Sequence, residues 1–193
     1  MNNKTKNQIT EIIDTHKKMV VRFQSGGLKP VTDMACAIVK ALKKGARIYI
    51  CGNGGSAADA QHIAAELVNR FECSRKALPV IALTTDTSII TSIGNDFSFE
   101  SVFARQAEAF VKKGDVFWAI STSGSSPNIL AAVKIAKQKG ALITAFTGKP
   151  GSTLEKLSDI CLCAESKSAA RSQEIHQLAY HIICGLVEQE FKK

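Results

Sequence analysis

The chain has 193 residues, 45% of them hydrophobic and 22% charged, with a mean hydropathy of +0.02. This composition predicts a globular protein rather than a disordered one, and no apolar run reaches the roughly 18 residues that a membrane span needs. The formal net charge of +8 suits an anionic partner, but the lysines are dispersed and only two Tyr and one Trp accompany them, so a base-stacking nucleic-acid surface is not expected.

Two helices are predicted at the start of the chain. Apolar residues at helical spacing predict the first over residues 5–24, and "QSGGLKP" separates it from a second over residues 31–44. No apolar run follows the first lysines, so we expect no secretory signal and a cytoplasmic protein. The first helix carries more apolar surface than a monomer would cover, which predicts an oligomer packed through the helices of residues 5–44.

Five short apolar strands then alternate with helices. Such alternation predicts an α/β protein, a three-layer α/β/α sandwich with a five-stranded parallel sheet and an N-terminal helical extension. Residues 1–193 are expected to form a single domain, and residues 85–100 a turn-rich bridge. The strands are predicted at 47–51, 79–84, 115–121, 141–147 and 159–164, and the remaining helices at about 56–70, 99–111, 127–138 and 169–190.

The six cysteines are scattered over these elements and lack the pattern of a disulfide framework. Cys161 and Cys163 form the only close pair, and no second Cys or His pair lies nearby to complete a zinc site. All six are interpreted as small buried hydrophobes: Cys36, Cys51, Cys73, Cys161, Cys163 and Cys184.

Glycine and serine cluster directly after the first and third strands, where a parallel sheet has its ligand crevice. In "STSGSSPN" (121–128), five hydroxyls precede a helix start, a combination that can hold a phosphate; Ser126 is the expected N-cap. The alternative is a capped turn without a ligand. The loop "GNGGSAAD" (52–59) is not G-x-G-x-x-G, and neither loop has a P-loop consensus, so dinucleotide binding and nucleotide hydrolysis are disfavoured.

Two helices present metal-ligating residue types. His62 and Glu66 are four residues apart and share a face, while Gln173, Gln177 and His181 form a stripe on the last helix. Together the helices could supply ligands suited to zinc, the alternative being a solvated surface pair. Competing candidates on the last helix are Glu174 and His176. Its core-facing residues are predicted to be Ile182, Ile183, Leu186 and Val187.

Four segments together resemble one family in the same order along nearly the whole chain: "CGNGGSAADAQHIAAEL", "GNDFSFE", "GDVFWAISTSGSSPNIL" and "RSQEIHQLAYHII". They are similar to the bacterial phosphoheptose isomerases of the sugar isomerase (SIS) fold family. The resemblance implies a flavodoxin-like SIS fold and an aldose–ketose isomerase that converts sedoheptulose 7-phosphate to D-glycero-D-manno-heptose 7-phosphate through a cis-enediol. It also implies the first step toward the heptose of lipopolysaccharide or capsule, one zinc ion per subunit, and a cytoplasmic homotetramer with interfacial active sites.

The same resemblance assigns roles to residues. It implies that Glu66 is the catalytic base and His181 its acid/base partner. The implied zinc ligands are His62, Glu66, Gln173 and His181. The implied substrate contacts are Asn53, Gly54, Gly55, Ser56, Arg70, Asp96, Ser121, Thr122, Ser123, Ser126 and Gln173. The chain departs from some members at Ala170, where they have an acidic or other polar residue near the sugar hydroxyls.

Two other functions fit the same fold. A non-catalytic relative binds the bacterial replication initiator, but it lacks the counterparts of Glu66 and His181, and their joint presence here favours the enzyme. A sugar-phosphate-sensing regulator would usually carry a helix-turn-helix segment, for which 193 residues leave no room. We therefore expect a sugar-phosphate enzyme with no nucleic-acid or membrane partner.

Overall fold

A computed structural model describes residues 3–192 and contains a five-stranded, all-parallel sheet in the order β2-β1-β3-β4-β5. Residues 1, 2 and 193 of the predicted domain lie outside the described residues. The strand order starts in the middle of the sheet and winds outward on both sides, as in flavodoxin-like folds. The strands are β1 (Ile48–Gly52), β2 (Val80–Ala82), β3 (Val116–Ser121), β4 (Leu142–Thr147) and β5 (Ile160–Cys163).

Helices cover both faces of the sheet, which confirms the three-layer α/β/α prediction, and the N-terminal helical extension is present. None of the helices between residues 3 and 192 combines the length and the apolar character required to cross a bilayer. The helices are α1 (Asn3–Gly26), α2 (Leu28–Lys43), α3 (Gly55–Val68), α4 (Thr87–Asp96), α5 (Val102–Phe110), α6 (Pro127–Gln138), α7 (Thr153–Leu157) and α8 (Ala169–Gln189).

Alternating strand residues divide the core into two layers. In β1, Ile48 and Ile50 point toward α2, α3 and α8, whereas Tyr49 and Cys51 point toward α5 and α6. Every residue of β3 is buried, as expected for a central parallel strand between two helical layers. This packing fixes α3 and α8 on the same side of the sheet, where they lie against each other.

The prediction of a turn-rich bridge over residues 85–100 was wrong, because residues 87–96 form α4. The Asp86 carboxylate caps this helix by accepting a hydrogen bond from the Ile89 backbone N–H at 2.9 Å. Ile93 is buried, and Ile89 and Ile90 pack beside it. Packing of these three isoleucines against the core thus stabilises a helix in a segment rich in Ser and Thr.

Two predictions of burial also need correction. Cys51 and Cys184 are buried as predicted, but Cys36 is exposed, because the core-facing stripe of α2 runs through Met34, Ala35 and Ile38 instead. The other three cysteines are partly buried, and all six are free thiols. On α8, Ile183 and Val187 are fully buried as predicted. Ile182 and Leu186, one position back on the helical wheel, are 36% and 37% exposed.

Candidate active site and metal centre

The two glycine-serine loops meet at the carboxyl edge of the sheet. β1 and β3 are paired neighbours, so the loops that follow them are adjacent. The side-chain amides of Asn53 and Asn128 exchange two hydrogen bonds of 2.9 and 2.8 Å across the gap. This reciprocal pair joins the first loop to the start of α6. The two loops are therefore in direct contact, and their shared ligand site stays a prediction.

The loop after β3 gathers hydroxyls around Ser121. Its Oγ lies 3.3 Å from Ser123 Oγ and 3.1 Å from Ser126 Oγ. Ser126 occupies the N-cap position of α6, but its side chain makes no capping hydrogen bond and turns to Ser121 instead. The predicted N-cap position of Ser126 is confirmed, although its hydroxyl does not bond the helix backbone. These hydroxyls at a helix N-terminus suit a phosphate.

A cavity of about 850 Å³ opens beside this loop. It lies between the loops after β3, β4 and β5 and the first turn of α8. Two lysines that the sequence analysis did not single out, Lys149 and Lys167, line it together with Thr122, Ser123 and Ser172. Cationic side chains next to neutral hydroxyl donors make this cavity a suitable place for a dianionic phosphate.

The first turn of α3 is shaped by glycines. Gly54 has a φ of +54°, a left-handed conformation that side chains rarely adopt. A Cβ atom at Gly55 would overlap the carboxamide of Gln173 on α8, which would have to move away. Ser56 is buried directly behind this turn. The turn therefore lets Gln173 approach the backbone at the start of α3.

Three predicted ligands form a cluster two turns further along the same helices. His62 Nε2 lies 3.0 Å from Glu66 Oε1, and the His62 and His181 rings are 5.1 Å apart in an edge-to-face arrangement. One ligand atom each of His62, Glu66 and His181 lies within 4.8 Å of the others. This cluster is the only group of three or more His, Cys, Asp or Glu residues with such spacing between residues 3 and 192.

The donor set fits zinc. Two imidazoles and one carboxylate are one of the ligand sets found at catalytic zinc ions, which keep a further coordination position open. Burial, together with the neighbouring His62, lowers the pKa of His181, and Glu66 opposes this only in part. The neutral imidazole, the form that binds metals, is thereby favoured.

Gln173 is placed differently from these three residues. It precedes His181 by eight residues, which corresponds to about 12 Å along α8, and its carboxamide lies against Gly55. Its role as a fourth zinc ligand stays a prediction, as does its contact with the sugar.

Arg70 and Asp96 lie on the surface. Arg70 follows the end of α3, and Asp96 ends α4, where its carboxylate accepts a hydrogen bond from Asn95 Nδ2 at 2.8 Å. Among the hydrogen bonds and ion pairs described for residues 3–192, none joins either residue to the cluster. Their assignment to the substrate site stays a prediction.

The two competing candidates on α8 have other partners. Glu174 Oε2 lies 2.8 Å from His16 Nδ1 of α1, and Glu174 forms an ion pair with Arg171 at 2.6 Å. His176 is fully buried, stacks on Phe146, and its Nε2 lies 3.0 Å from the carbonyl oxygen of Thr147. Glu174 therefore ties α1 to α8, and His176 is a core residue of the second turn of α8.

The buried His176 makes the fold sensitive to acid. Burial lowers its pKa to about 4, although the Thr147 carbonyl partly opposes this. Protonation then favours the unfolded chain, where the pKa is near 6.5, so the free energy of unfolding should fall as the pH drops from about 6.5 to 4. His176→Gln keeps a donor for Thr147 and does not titrate. In urea denaturation at pH 7 and pH 5, wild type should lose more stability than this variant; equal losses would contradict the assignment.

A buried ion pair behind the cluster was missed by the sequence analysis. The Glu188 carboxylate accepts hydrogen bonds from the backbone N–H groups of Phe71, Glu72 and Cys73 at 2.7–2.8 Å. Arg75 lies 3.4 Å from the same carboxylate and donates to the backbone carbonyl of Glu66 at 2.7 Å. Burial raises the pKa of Glu188, but these donors outweigh it and hold that pKa below its usual range.

The sequence of this chain is similar to those of known proteins. A SIS domain profile matches residues 12–148. The chain is 45% identical to a phosphoheptose isomerase of Clostridium acetobutylicum over 190 residues, covering 98% of this chain and 96% of that protein. It is 48% identical to phosphoheptose isomerase 1 of Campylobacter jejuni over 178 residues, covering 91% and 94%.

Solved structures show the same similarity. The phosphoheptose isomerase from Neisseria gonorrhoeae superimposes with a TM-score of 0.91 at 34% identity, covering 96% of this chain and 99% of that one. The phosphoheptose isomerase from Francisella tularensis gives a TM-score of 0.93 at 34% identity, covering 98% and 100%.

Proposed function

Because this chain belongs to the SIS domain family and, within it, to the phosphoheptose isomerases, we propose that it interconverts sedoheptulose 7-phosphate and D-glycero-D-manno-heptose 7-phosphate. The observation that carries the proposal is the His62–Glu66–His181 cluster on α3 and α8, because the first turn of α8 also lines the cavity beside the serine loop. Ser172 at the cavity and His181 at the cluster are nine residues apart, about 13 Å along the helix. This spacing can separate the phosphate of an extended sugar from its reacting carbons.

The reaction moves one proton between C1 and C2 by way of a cis-enediol. We assign to Glu66 the removal of the proton from one carbon and its return to the other. His181 exchanges a proton with the substrate oxygens, so that the carbonyl on one carbon becomes a hydroxyl as the hydroxyl on the other becomes a carbonyl. The hydroxyls of Ser121, Thr122, Ser123 and Ser126 hold the phosphate in this proposal.

The metal in this proposal is zinc, one per subunit, held by His62, Glu66 and His181 with Gln173 as the fourth ligand. Bound there, zinc would polarise the substrate carbonyl and keep its two oxygens in register. The chain's own residues supply the remaining requirements: Glu66 is aimed at the reacting carbons from α3, and His181 from α8. Asn53, Gly54, Gly55 and Ser56 line the sugar between the cluster and the phosphate.

We further propose a homotetramer packed through the N-terminal helices, with active sites at the interfaces. Supporting this, α1 leaves four large apolar residues 43–63% exposed: Ile9, Ile12, Ile13 and Val21. An interfacial site would also give Arg70 and Asp96, which are exposed in the single chain, a substrate to contact. Light scattering after size exclusion tests this assembly, and a monomer would contradict it.

The proposed product would enter the heptose of lipopolysaccharide or capsule, and we infer a cytoplasmic location, where sugar phosphates are made. Cell fractionation tests the location, and analysis of surface polysaccharide in a strain lacking the gene tests the pathway. Loss of heptose from either polymer would support the assignment. Unchanged heptose content would contradict it.

The deciding experiment is proton NMR in heavy water with sedoheptulose 7-phosphate and the purified protein, untreated, chelated, and with zinc restored. We expect the aldose to form with solvent deuterium at C2, to stop forming after chelation, and to reappear with zinc. Turnover that survives chelation would contradict the zinc requirement but not the isomerase. No turnover under any metal condition would contradict the isomerase and favour the replication-initiator-binding alternative, which a pull-down with the initiator then tests.

A further inference from the structure

Tyr180 packs against both histidines of the cluster. It is 1% exposed and directly precedes His181 on α8. Its ring is edge-to-face with both imidazoles, with centroid distances of 5.3 Å to His62 and 4.7 Å to His181. Its hydroxyl oxygen is 2.8 Å from His62 Nδ1. Tyr180 therefore contacts the ring nitrogen of His62 that faces away from Glu66.

The contact restricts how His62 can bind a metal. With Nδ1 engaged by Tyr180, the nitrogen left for a metal is Nε2, the one that lies 3.0 Å from Glu66 Oε1. An imidazole that binds through Nε2 carries its proton on Nδ1. In that case His62 donates from Nδ1 to Tyr180 Oη. The hydroxyl proton of Tyr180 then needs an acceptor other than His62.

Asp59 offers such an acceptor. It lies three residues before His62 on α3, on the same face of the helix. Its Oδ2 is buried and has no hydrogen-bond partner among residues 3–192. A buried carboxylate oxygen without a partner is costly unless it accepts a hydrogen bond in the working site.

We propose that Tyr180 and Asp59 are positioning residues that hold His62 with Nδ1 protonated and Nε2 directed to the metal. In this arrangement His62 donates from Nδ1 to Tyr180 Oη, and the Tyr180 hydroxyl donates to Asp59. This inference rests on the proposed metal centre. It goes beyond it because neither residue is a ligand or touches the substrate in the proposed mechanism.

The test is zinc affinity, measured on the purified full chain by competition with a chromophoric chelator. Tyr180→Phe keeps the ring packing and removes the hydroxyl, and we expect zinc to bind 10- to 100-fold more weakly. Asp59→Asn should weaken binding in the same direction. The double variant should be no weaker than Tyr180→Phe alone, because Asp59 acts through Tyr180.

Tyr49→Phe is the matched control, since Tyr49 is the chain's other tyrosine. It is also fully buried, and its hydroxyl donates to the Phe110 carbonyl at 3.1 Å, in the other core layer. It should bind zinc like wild type. Equal affinity of Tyr180→Phe and Tyr49→Phe would overturn the positioning role and leave the metal centre intact. Failure of wild type itself to bind zinc would overturn the metal centre, and the positioning role with it. Should Tyr180→Phe not fold, the half-buried Asp59→Asn decides in the same assay.

Discussion

Glu66→Gln should lower kcat for sedoheptulose 7-phosphate by roughly 10²- to 10⁴-fold at saturating zinc, the range that loss of a general base produces. The amide keeps the size of the side chain but cannot take a proton from C1 or C2. The Glu66 side chain is 22% exposed and lies beside His62, which fixes its position relative to the cluster. The rate is measured by NMR as conversion to the aldose and as deuterium incorporation at C2.

Two measurements keep this result interpretable. Zinc affinity measured on the same variant separates loss of a ligand from loss of the base, because a variant saturated with zinc that still fails to turn over lacks the base. Glu108→Gln, an exposed residue on α5, is the matched control and should retain wild-type kcat. A Glu66→Gln variant with kcat within a few-fold of wild type would rule out Glu66 as the base.

The largest effect on stability is expected for Glu188→Gln, which should lower the free energy of unfolding by about 3–5 kcal/mol. The Glu188 and Arg75 side chains are 3% and 0% exposed, so the substitution leaves a guanidinium buried without its counterion. It also replaces one carboxylate oxygen by an amide that cannot accept from the backbone N–H groups of the 71–73 turn. Urea denaturation measures the change.

Glu190→Gln provides the control at the end of the same helix. Glu190 pairs with Lys43 at 2.6 Å, but both side chains are more than half exposed, so its loss should cost less than about 1 kcal/mol. If Glu188→Gln and Glu190→Gln lowered the free energy of unfolding equally, burial would not explain the contribution of the Glu188–Arg75 pair. An Arg75→Gln/Glu188→Gln double variant should lose less than the sum of the single variants, because neither buried partner is then left charged and alone.

Local sequence patterns were sufficient to predict the bounds of helices whose first residues are typical capping residues. Helix α6 spans 127–138 as predicted, because Ser126 and Pro127 mark its start. Helix α4 was missed because Ser and Thr, which have weak helix propensity, surround its three isoleucines. The Asp86 cap was the available signal. The low average helix propensity of this segment argued against a helix, but burial of Ile93 in the core stabilises one.

The site was predictable in its parts and not in its assembly. The spacing of His62 and Glu66 places both on one face of α3 whatever surrounds them. That α8 runs beside α3, bringing Gln173 to Gly55 and Tyr180 to His62, depends on how the sheet packs both helices, and no local pattern encodes it. Glu188 carried one unused signal, since an acidic residue near a helix C-terminus opposes the helix dipole and therefore suggests a tertiary partner.

The side-by-side packing of α3 and α8 has a consequence for folding of the protein. His62 and Glu66 lie on α3, whereas His181 lies on α8, 115 residues after Glu66. The cluster can assemble only after the chain of more than one hundred residues between α3 and α8 has closed into a loop. Contacts between residues so far apart in sequence form late in folding. The His62–Glu66–His181 cluster is therefore incomplete until α8 docks against α3, and its assembly reports that the two helices have packed.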